Sequence, residues 1–410
     1  MKGSRQGVRP PRRQRRAQGQ RLPPDENRPY TQARAKLPLE RLQQIHDAVV
    51  ADAHAAIAAK DLWCGRRVIV PDGCTVTAPD TPANQKRYPQ QSVQKAGCGY
   101  PILRVVALLS LATGLLTAWA VGAWRTSEMA LLLQNLWENL QAGDVLLADR
   151  GFCNWGLLAL CLQHHLDAVF RVKGSRRKDL RRGQRLSRNE RLVEWKKPKQ
   201  PATTLSAQPW ASLPESLTLR LVRCELKRPG FRTQKVILVT TLLDSLAYPP
   251  EALSQLYYRR WAMELTLRNI KITLQMDHLS CKTPQNLDRE IRLHFLVHNL
   301  VRRLMLEAAR RHQVPLERVS FAGSLAAARR FSEALLQTKT QASRRQLLTE
   351  LFRVLADDLV PDRPGRREPR AVKRRPKPYP RLMRHRHKFR EIQHQNRYYA
   401  NSRFGPKYRK

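Results

Sequence analysis

The chain has 410 residues, 42% of them hydrophobic, and 76 Lys+Arg against 33 Asp+Glu, for a formal net charge of +43. That hydrophobic content excludes wholesale disorder, and the length affords two or three substructures around a sizeable core. So large a positive excess repels itself unless a polyanion is bound, and counterion release makes nucleic acid the favoured partner; the basic segments adjoin no amphipathic apolar face suited to a membrane surface.

The seven cysteines are scattered and form no CxxC pair, which argues against a disulfide framework and a cysteine-based zinc site and fits a reducing cytoplasm. The basic start is not followed by an apolar run, so it is not read as a signal peptide.

In chain order, residues 1–36 are expected to be a disordered basic arm, with eight Lys+Arg and no acid in the first 22. A helical segment follows over 37–60. Residues 61–171 then read as the first part of a mixed α/β core: a strand RRVIVPDG ending at Asp72, an apolar run, a helix, and a strand DVLLADRGF ending at Asp149. The run VVALLSLATGLLTAWAVGAW has the 20 residues of a membrane span. Thr113-Gly114 divides it, however, so two buried strands joined in a hairpin are the preferred reading. Helical spacing marks 127–143, with Ser127 as a possible N-cap and Gly143 as a stop. Residues 172–245 carry strand-like runs (LVEWKKP, LTLRLVRCEL, KVILVTTLLD) between Pro and Gly and read as a β-rich insertion. The core resumes with helices over 246–360. The tail 361–410 has 18 Lys+Arg and two Glu from residue 363 on, too charged to fold alone.

The chemistry concentrates in LYYRRWAMELTLRNIK, residues 256–271. At about 100° per residue, Tyr257, Arg260, Glu264 and Lys271 share an arc of about 60°. Leu256, Met263, Leu267, Ile270 and Leu274 form the adjacent apolar face. Taken alone, Arg260 and Glu264 are an ordinary i,i+4 pair worth a few tenths of a kcal/mol. Asp72 and Asp149 change that, because each stands where an apolar strand meets a glycine turn. Alone each reads as a turn or cap residue; together they offer oxygen ligands of the kind that suits Mg2+ or Mn2+. Two such ions about 4 Å apart activate a water and stabilise the leaving oxygen of a phosphodiester.

Tyr257-x2-Arg260-x3-Glu264-x6-Lys271 resembles the Y-R-E-K signature of the DDE transposases of bacterial insertion sequences. The chain is most similar to insertion-sequence family four, whose members carry a β-strand insertion between the second Asp and the Glu. The likeness extends through VIVPDGCTVTAPDTPANQ, GDVLLADRGF and RPGFRTQKVILVTTLLD, and covers roughly residues 29 to 382. It implies a ribonuclease-H-like mixed-sheet core with flanking helices. It also implies that Asp72, Asp149 and Glu264 are a catalytic triad holding two divalent ions, Mg2+ or Mn2+. Tyr257, Arg260 and Lys271 would hold phosphates of double-stranded DNA at the element ends. Trp261 matches a family tryptophan beside a flipped base, with core packing as the alternative. Arg150 either contacts DNA or pairs with an acid. The activity implied is transposition: binding of inverted-repeat ends, metal-dependent nicking, and strand transfer by cut and paste, by a homodimer in a synaptic complex. A non-catalytic DNA-binding remnant and a metal-dependent nuclease without strand transfer are the rival readings. An arginine-rich arm stands where family members usually carry a helical region, and Cys74 where they commonly carry a hydroxyl residue. Asp80 begins a proline-containing turn and is passed over for Asp72, and His164-His165 reads as surface.

Overall fold

The computed structural model describes residues 36–95, 97–173, 181, 183–200, 210–226 and 234–361. The expected basic arm up to residue 35, the tail from 362, and parts of the insertion lie outside the described residues.

Helix α1 (Leu39–Ala55) precedes β1 (Val68–Thr77), which runs five residues beyond Asp72 rather than ending at it. A short α2 (Pro82–Arg87), capped by Thr81, leads to β2 (Ile102–Ser110) and β3 (Leu116–Ala123). These two strands are the apolar run, folded back as an antiparallel hairpin with Gly114 at φ +73° in the turn. A side chain there would be strained and would strike Arg302. Asn299 locks the hairpin: its Oδ1 accepts from the Leu116 N–H at 3.0 Å, and its amide donates to the Leu116 carbonyl at 2.8 Å. Among the described residues no helix is long and apolar enough to cross a membrane.

The helix expected over 127–143 is broken up. Ser127 caps a four-residue α3 (Glu128–Leu131), which passes into a π turn at Leu132–Leu136 and a 3-10 turn at Trp137–Asn139. The strand before Asp149 is β4 (Val145–Ala148). Helix α4 (Trp155–Gln163) and β5 (Asp167–Arg171) follow.

The insertion supplies β6 (Gln184–Ser187), β7 (Glu190–Lys196), β8 (Ser216–Leu226) and β9 (Gln234–Thr240). Among the described residues they continue the core sheet, giving nine strands in the order β3-β2-β1-β4-β5-β9-β8-β7-β6. β1, β4 and β5 run parallel, whereas β3-β2-β1 and the inserted strands pair antiparallel. The chain then forms α5 (Pro250–Arg259), α6 (Trp261–Arg268), α7 (Pro284–His312), α8 (Phe321–Gln337) and α9 (Gln341–Asp357).

Alternation along the strands sorts the core into two layers. Val68, Val70, Val105, Ala107, Val145 and Leu147 pack with Leu256, Met263, Leu267, Ile270, Ile291 and Phe295 from α5–α7 and the turn after α6. On the other face Ile69, Val106, Leu108, Leu146 and Ala148 pack with Leu131, Leu132, Trp155 and Leu158. The apolar face assigned to the signature helix is therefore the face it buries.

Candidate active site

β1 and β4 are parallel, with Val68 opposite Val145 and Ile69 opposite Leu146. Four residues beyond Val68 is Asp72, and four beyond Val145 is Asp149. The pairing register, carried forward, sets the two aspartates side by side on the face that carries α5 and α6. β4 stops at Ala148 while β1 continues, so the edge of β1 beside Asp72 loses its parallel neighbour at this point. The chain leaves β4 through a tight turn in which Asp149 Oδ1 accepts the Gly151 N–H at 2.6 Å. Asp72 Oδ1 accepts the Gly73 N–H at 2.8 Å.

Arg260 connects this pair to the third acid. It stands at the junction of α5 and α6, 14% exposed, with Nη2 at 2.5 Å from Glu264 Oε1 and Nη1 at 3.8 Å from Asp72 Oδ2. Its guanidinium lies over the Tyr257 ring at 5.7 Å. Tyr257 is only 5% exposed, and burial pushes its phenol up from the ordinary value. Arg260 Nε is buried and makes no hydrogen bond among the described residues.

Burial pushes the Asp72 carboxyl up from 3.8 to about 6. The Gly73 N–H and Arg260 oppose the rise, while the charges of Glu128 and Asp149 add to it. Between those two values the folded chain holds a proton that the unfolded chain has released, so stability falls as pH rises through this window. The full contribution is about 3 kcal/mol, lost by the time the pH is well above 6. Urea unfolding of the wild-type protein and Asp72→Asn in metal-free buffer, at pH 4 and pH 7.5, is expected to show a steeper decline for the wild type. Parallel pH dependences would remove the buried Asp72 charge from the account.

The remaining sequence-predicted residues divide. Trp261 is 40% exposed, so it is not a core side chain, and Arg150 is exposed with no acid paired to it among the described residues. Lys271 has an acid partner of its own. It lies in a π turn at Asn269–Thr273, and its Nζ pairs with Asp277 Oδ1 at 2.9 Å. Each π turn holds more residues than an α turn, so a wheel drawn at 100° loses its phase there. Cys74 is a half-buried thiol pushed up to about 12 by desolvation, which suits packing and not nucleophilic attack. Asp80 is exposed and accepts from Gln85 Nε2 at 2.8 Å, and His164 and His165 are exposed.

Two participants escaped the sequence. Asp277 was hidden by the π turn. Glu128, which the sequence did not single out, opens α3 with its carboxyl lying against Gly73.

Asp72, Asp149 and Glu264 offer carboxylate oxygens, which is the chemistry of a hard divalent cation. Burial and like charge already strain the ionised form of Asp72, and a cation relieves both. By donor chemistry these residues suit such a group. Among the described residues no three His, Cys, Asp or Glu side chains converge on one point. Arg260 instead joins Asp72 and Glu264.

A family model described as the transposase DDE domain matches residues 63–300. The transposase InsG of insertion sequence element IS4 from Escherichia coli (strain K12) is 31% identical over 372 residues, spanning 86% of this chain and 79% of the relative. Among solved structures, a piggyBac transposase synaptic complex with hairpin DNA aligns with 72% of this chain at 11% identity and a TM-score of 0.37. This chain spans 58% of that one.

Proposed function

This chain belongs to the IS4-family DDE transposases and is a DNA transposase, and from that premise we propose that Asp72, Asp149 and Glu264 are its catalytic acids. The observation that carries the assignment is the β1–β4 register, which puts Asp72 beside Asp149 on the face where Arg260 holds Glu264. A ribonuclease-H-like core is the matching fold reading, supported by the strand order β3-β2-β1-β4-β5 with the parallel pairs at β1-β4 and β4-β5.

Use of divalent metal ions is general in the family, and Asp72, Asp149 and Glu264 are the residues that would hold them, as Mg2+ or Mn2+. Held there, such ions would supply the Lewis acidity that phosphodiester hydrolysis calls for. The chain's own groups position the DNA. Exposed Arg150 contacts a phosphate and exposed Trp261 offers an indole face to an unstacked base. Tyr257, buried beneath Arg260, sets the guanidinium so that its donors face both Asp72 and the DNA backbone. Lys271, held at its Asp277 partner, adds positive charge beside the same end of β1, where Thr77 bridges to His278. The reaction proposed is nicking at the element ends followed by transfer of the freed 3′-hydroxyl to target DNA, cut-and-paste in form, by a homodimer in the bacterial cytoplasm.

The test uses labelled duplex carrying the element's own ends with Mg2+ or Mn2+, comparing wild type with Glu264→Gln. A metal-dependent nick at the element boundary that disappears in the variant is expected. Equal binding by both proteins with no cleavage by either would leave a DNA-binding remnant. Nicking without joining would leave a nuclease.

A further inference from the structure

Between the π turn that carries Lys271 and the start of α7, residues 277–282 run beside the end of β1, with His278 bridged to Thr77. The Thr77 N–H donates to the Asp277 carbonyl at 3.2 Å, and the Leu279 N–H donates to the Thr77 carbonyl at 2.9 Å. Asn84 Nδ2 donates to the Cys281 carbonyl at 3.2 Å, and Thr81 Oγ1 to the Lys282 carbonyl at 2.9 Å. The N–H groups of Ser280 and Cys281 turn to α7 instead, where Glu290 takes both. Ser280 N–H lies 2.9 Å from Oε1 and 3.0 Å from Oε2, and Cys281 N–H lies 3.0 Å from Oε2. The Ser280 hydroxyl donates to Oε1 at 2.6 Å. Burial acts to raise the Glu290 carboxyl, yet the hydrogen bonds from Cys281 and Ser280 hold it below its ordinary value. Hydrogen bonds to a carboxylate are roughly twice as strong as neutral ones, so this is the firmest anchor of the segment.

The anchored segment begins with the partner of Lys271. Asp277 grips that residue at both ends: its N–H donates to the Lys271 carbonyl at 3.2 Å, and its Oδ1 lies 2.9 Å from Lys271 Nζ. The charge of Lys271 bears on Cys74 more strongly than that of Asp72 does, which places the ammonium over β1 close to the first proposed catalytic acid. The Lys271 side chain is 26% exposed, and an ammonium held by one carboxylate has donors to spare for a phosphate. A lysine stem is rich in rotamers, and fixing it during folding removes that ordering cost from the binding step.

We propose that Glu290 is a positioning residue for DNA binding: it ties residues 277–282 to α7 so that Asp277 holds Lys271 Nζ in place for the phosphate backbone. The inference rests on the reading of Lys271 as a phosphate contact.

The test is the salt dependence with which the full-length protein binds labelled duplex carrying the element's own ends, in metal-free buffer. Lys271→Met is expected to lower the slope of log affinity against log salt by about 1, the loss of one phosphate contact. Glu290→Ala is expected to weaken binding and lower the slope by a similar amount, although it removes a negative charge from a protein that binds a polyanion. Glu333→Ala, an equal loss of charge at an exposed position on α8, is expected to bind as tightly as wild type or more so. In the Lys271→Met background, Glu290→Ala should change little, because both act through one contact. If Lys271→Met lowers the slope while Glu290→Ala binds like Glu333→Ala, Glu290 positions nothing and the reading of Lys271 stands. If Glu290→Ala weakens binding by the same factor with and without Lys271, it acts elsewhere and the proposal is overturned. If Lys271→Met leaves the slope unchanged, the phosphate reading fails and the positioning role goes with it. Melting curves confirm that each variant is folded at the assay temperature. Where Glu290→Ala does not fold, Glu290→Gln decides, since it keeps one acceptor for Ser280 but sets an amide against the Cys281 N–H.

Discussion

Replacing Asp149 by asparagine is expected to slow metal-dependent nicking by at least about 1000-fold while leaving the metal-free protein as stable as before or slightly more so. Holding a cation that stabilises developing charge is worth several kcal/mol in the transition state, and about 4 kcal/mol corresponds to a factor of about 1000. Asparagine keeps the Oδ1 that accepts the Gly151 N–H at 2.6 Å, so the turn after β4 is preserved. What disappears is one of the like charges that push Asp72 up to about 6. Relief of that repulsion acts in the direction of stability near neutral pH, opposite in sign to the effect on catalysis. Single-turnover nicking and melting in metal-free buffer, measured on the same preparation, separate the two. A variant that melts well below wild type would show Asp149 to be chiefly a turn residue, and one that nicks normally would remove it from the catalytic set.

The largest stability effect is expected at Arg220, whose substitution by alanine should cost about 3–5 kcal/mol. Arg220 lies in the middle of β8, fully buried, between Leu192 of β7 and Thr240 of β9. Its Nε donates to Glu190 Oε1 at 2.8 Å and its Nη2 also contacts that carboxylate. Its Nη1 donates to the carbonyls of Asp244 and Tyr248 at 3.2 and 2.8 Å, and more distantly to Leu242. Those carbonyls belong to the segment between β9 and α5. One guanidinium therefore fastens the inserted strands to the start of the helix that carries Tyr257 and Arg260.

Removing it strands the buried Glu190 carboxylate and leaves the carbonyls without their donor, which is why the loss exceeds that of a surface pair. Arg220→Met combined with Glu190→Leu should recover much of the loss, because the uncompensated charge goes with its partner. Urea midpoints for the single and double variants provide the comparison. A Glu190→Leu change that brings no recovery in the Arg220→Met background would show that the carbonyl contacts dominate. The single variant is also expected to nick more slowly at temperatures where it remains folded, since the packing of α5 on β8, which leads into Arg260 and α6, is no longer fixed.

The features legible in the sequence were those written into neighbouring residues. Thr113-Gly114 marked the hairpin because a turn needing positive φ leaves a local trace, and Gly114 has φ +73°. The apolar face of the signature helix was visible because Leu256, Met263 and Leu267 recur at helical spacing, and all three are buried. The spacing of Tyr257, Arg260, Glu264 and Lys271 located the family. Arg220 was the opposite case. Its place in LTLRLVR read only as part of a strand-like run, whereas apolar clusters cover both faces of β8. No local pattern says that the carbonyls of residues 244 and 248 return to meet it.

Tertiary structure alone decided which side chains share space. The register that sets Asp72 beside Asp149 depends on how β1 and β4 interlock through the two apolar layers, and strand periodicity is silent on which strand lies next to which. The π turn that sends Lys271 to Asp277 adds a rotation that the sequence spacing does not announce. The approach of Glu128 to Gly73 joins a helix start to a strand more than fifty residues earlier, through packing on the sheet face away from α6. Sequence periodicity records what a residue needs from its neighbours along the chain. The electrostatic cost at Asp72, and the arginine and glutamate that shape it, arise only when distant segments are brought into contact and water is excluded.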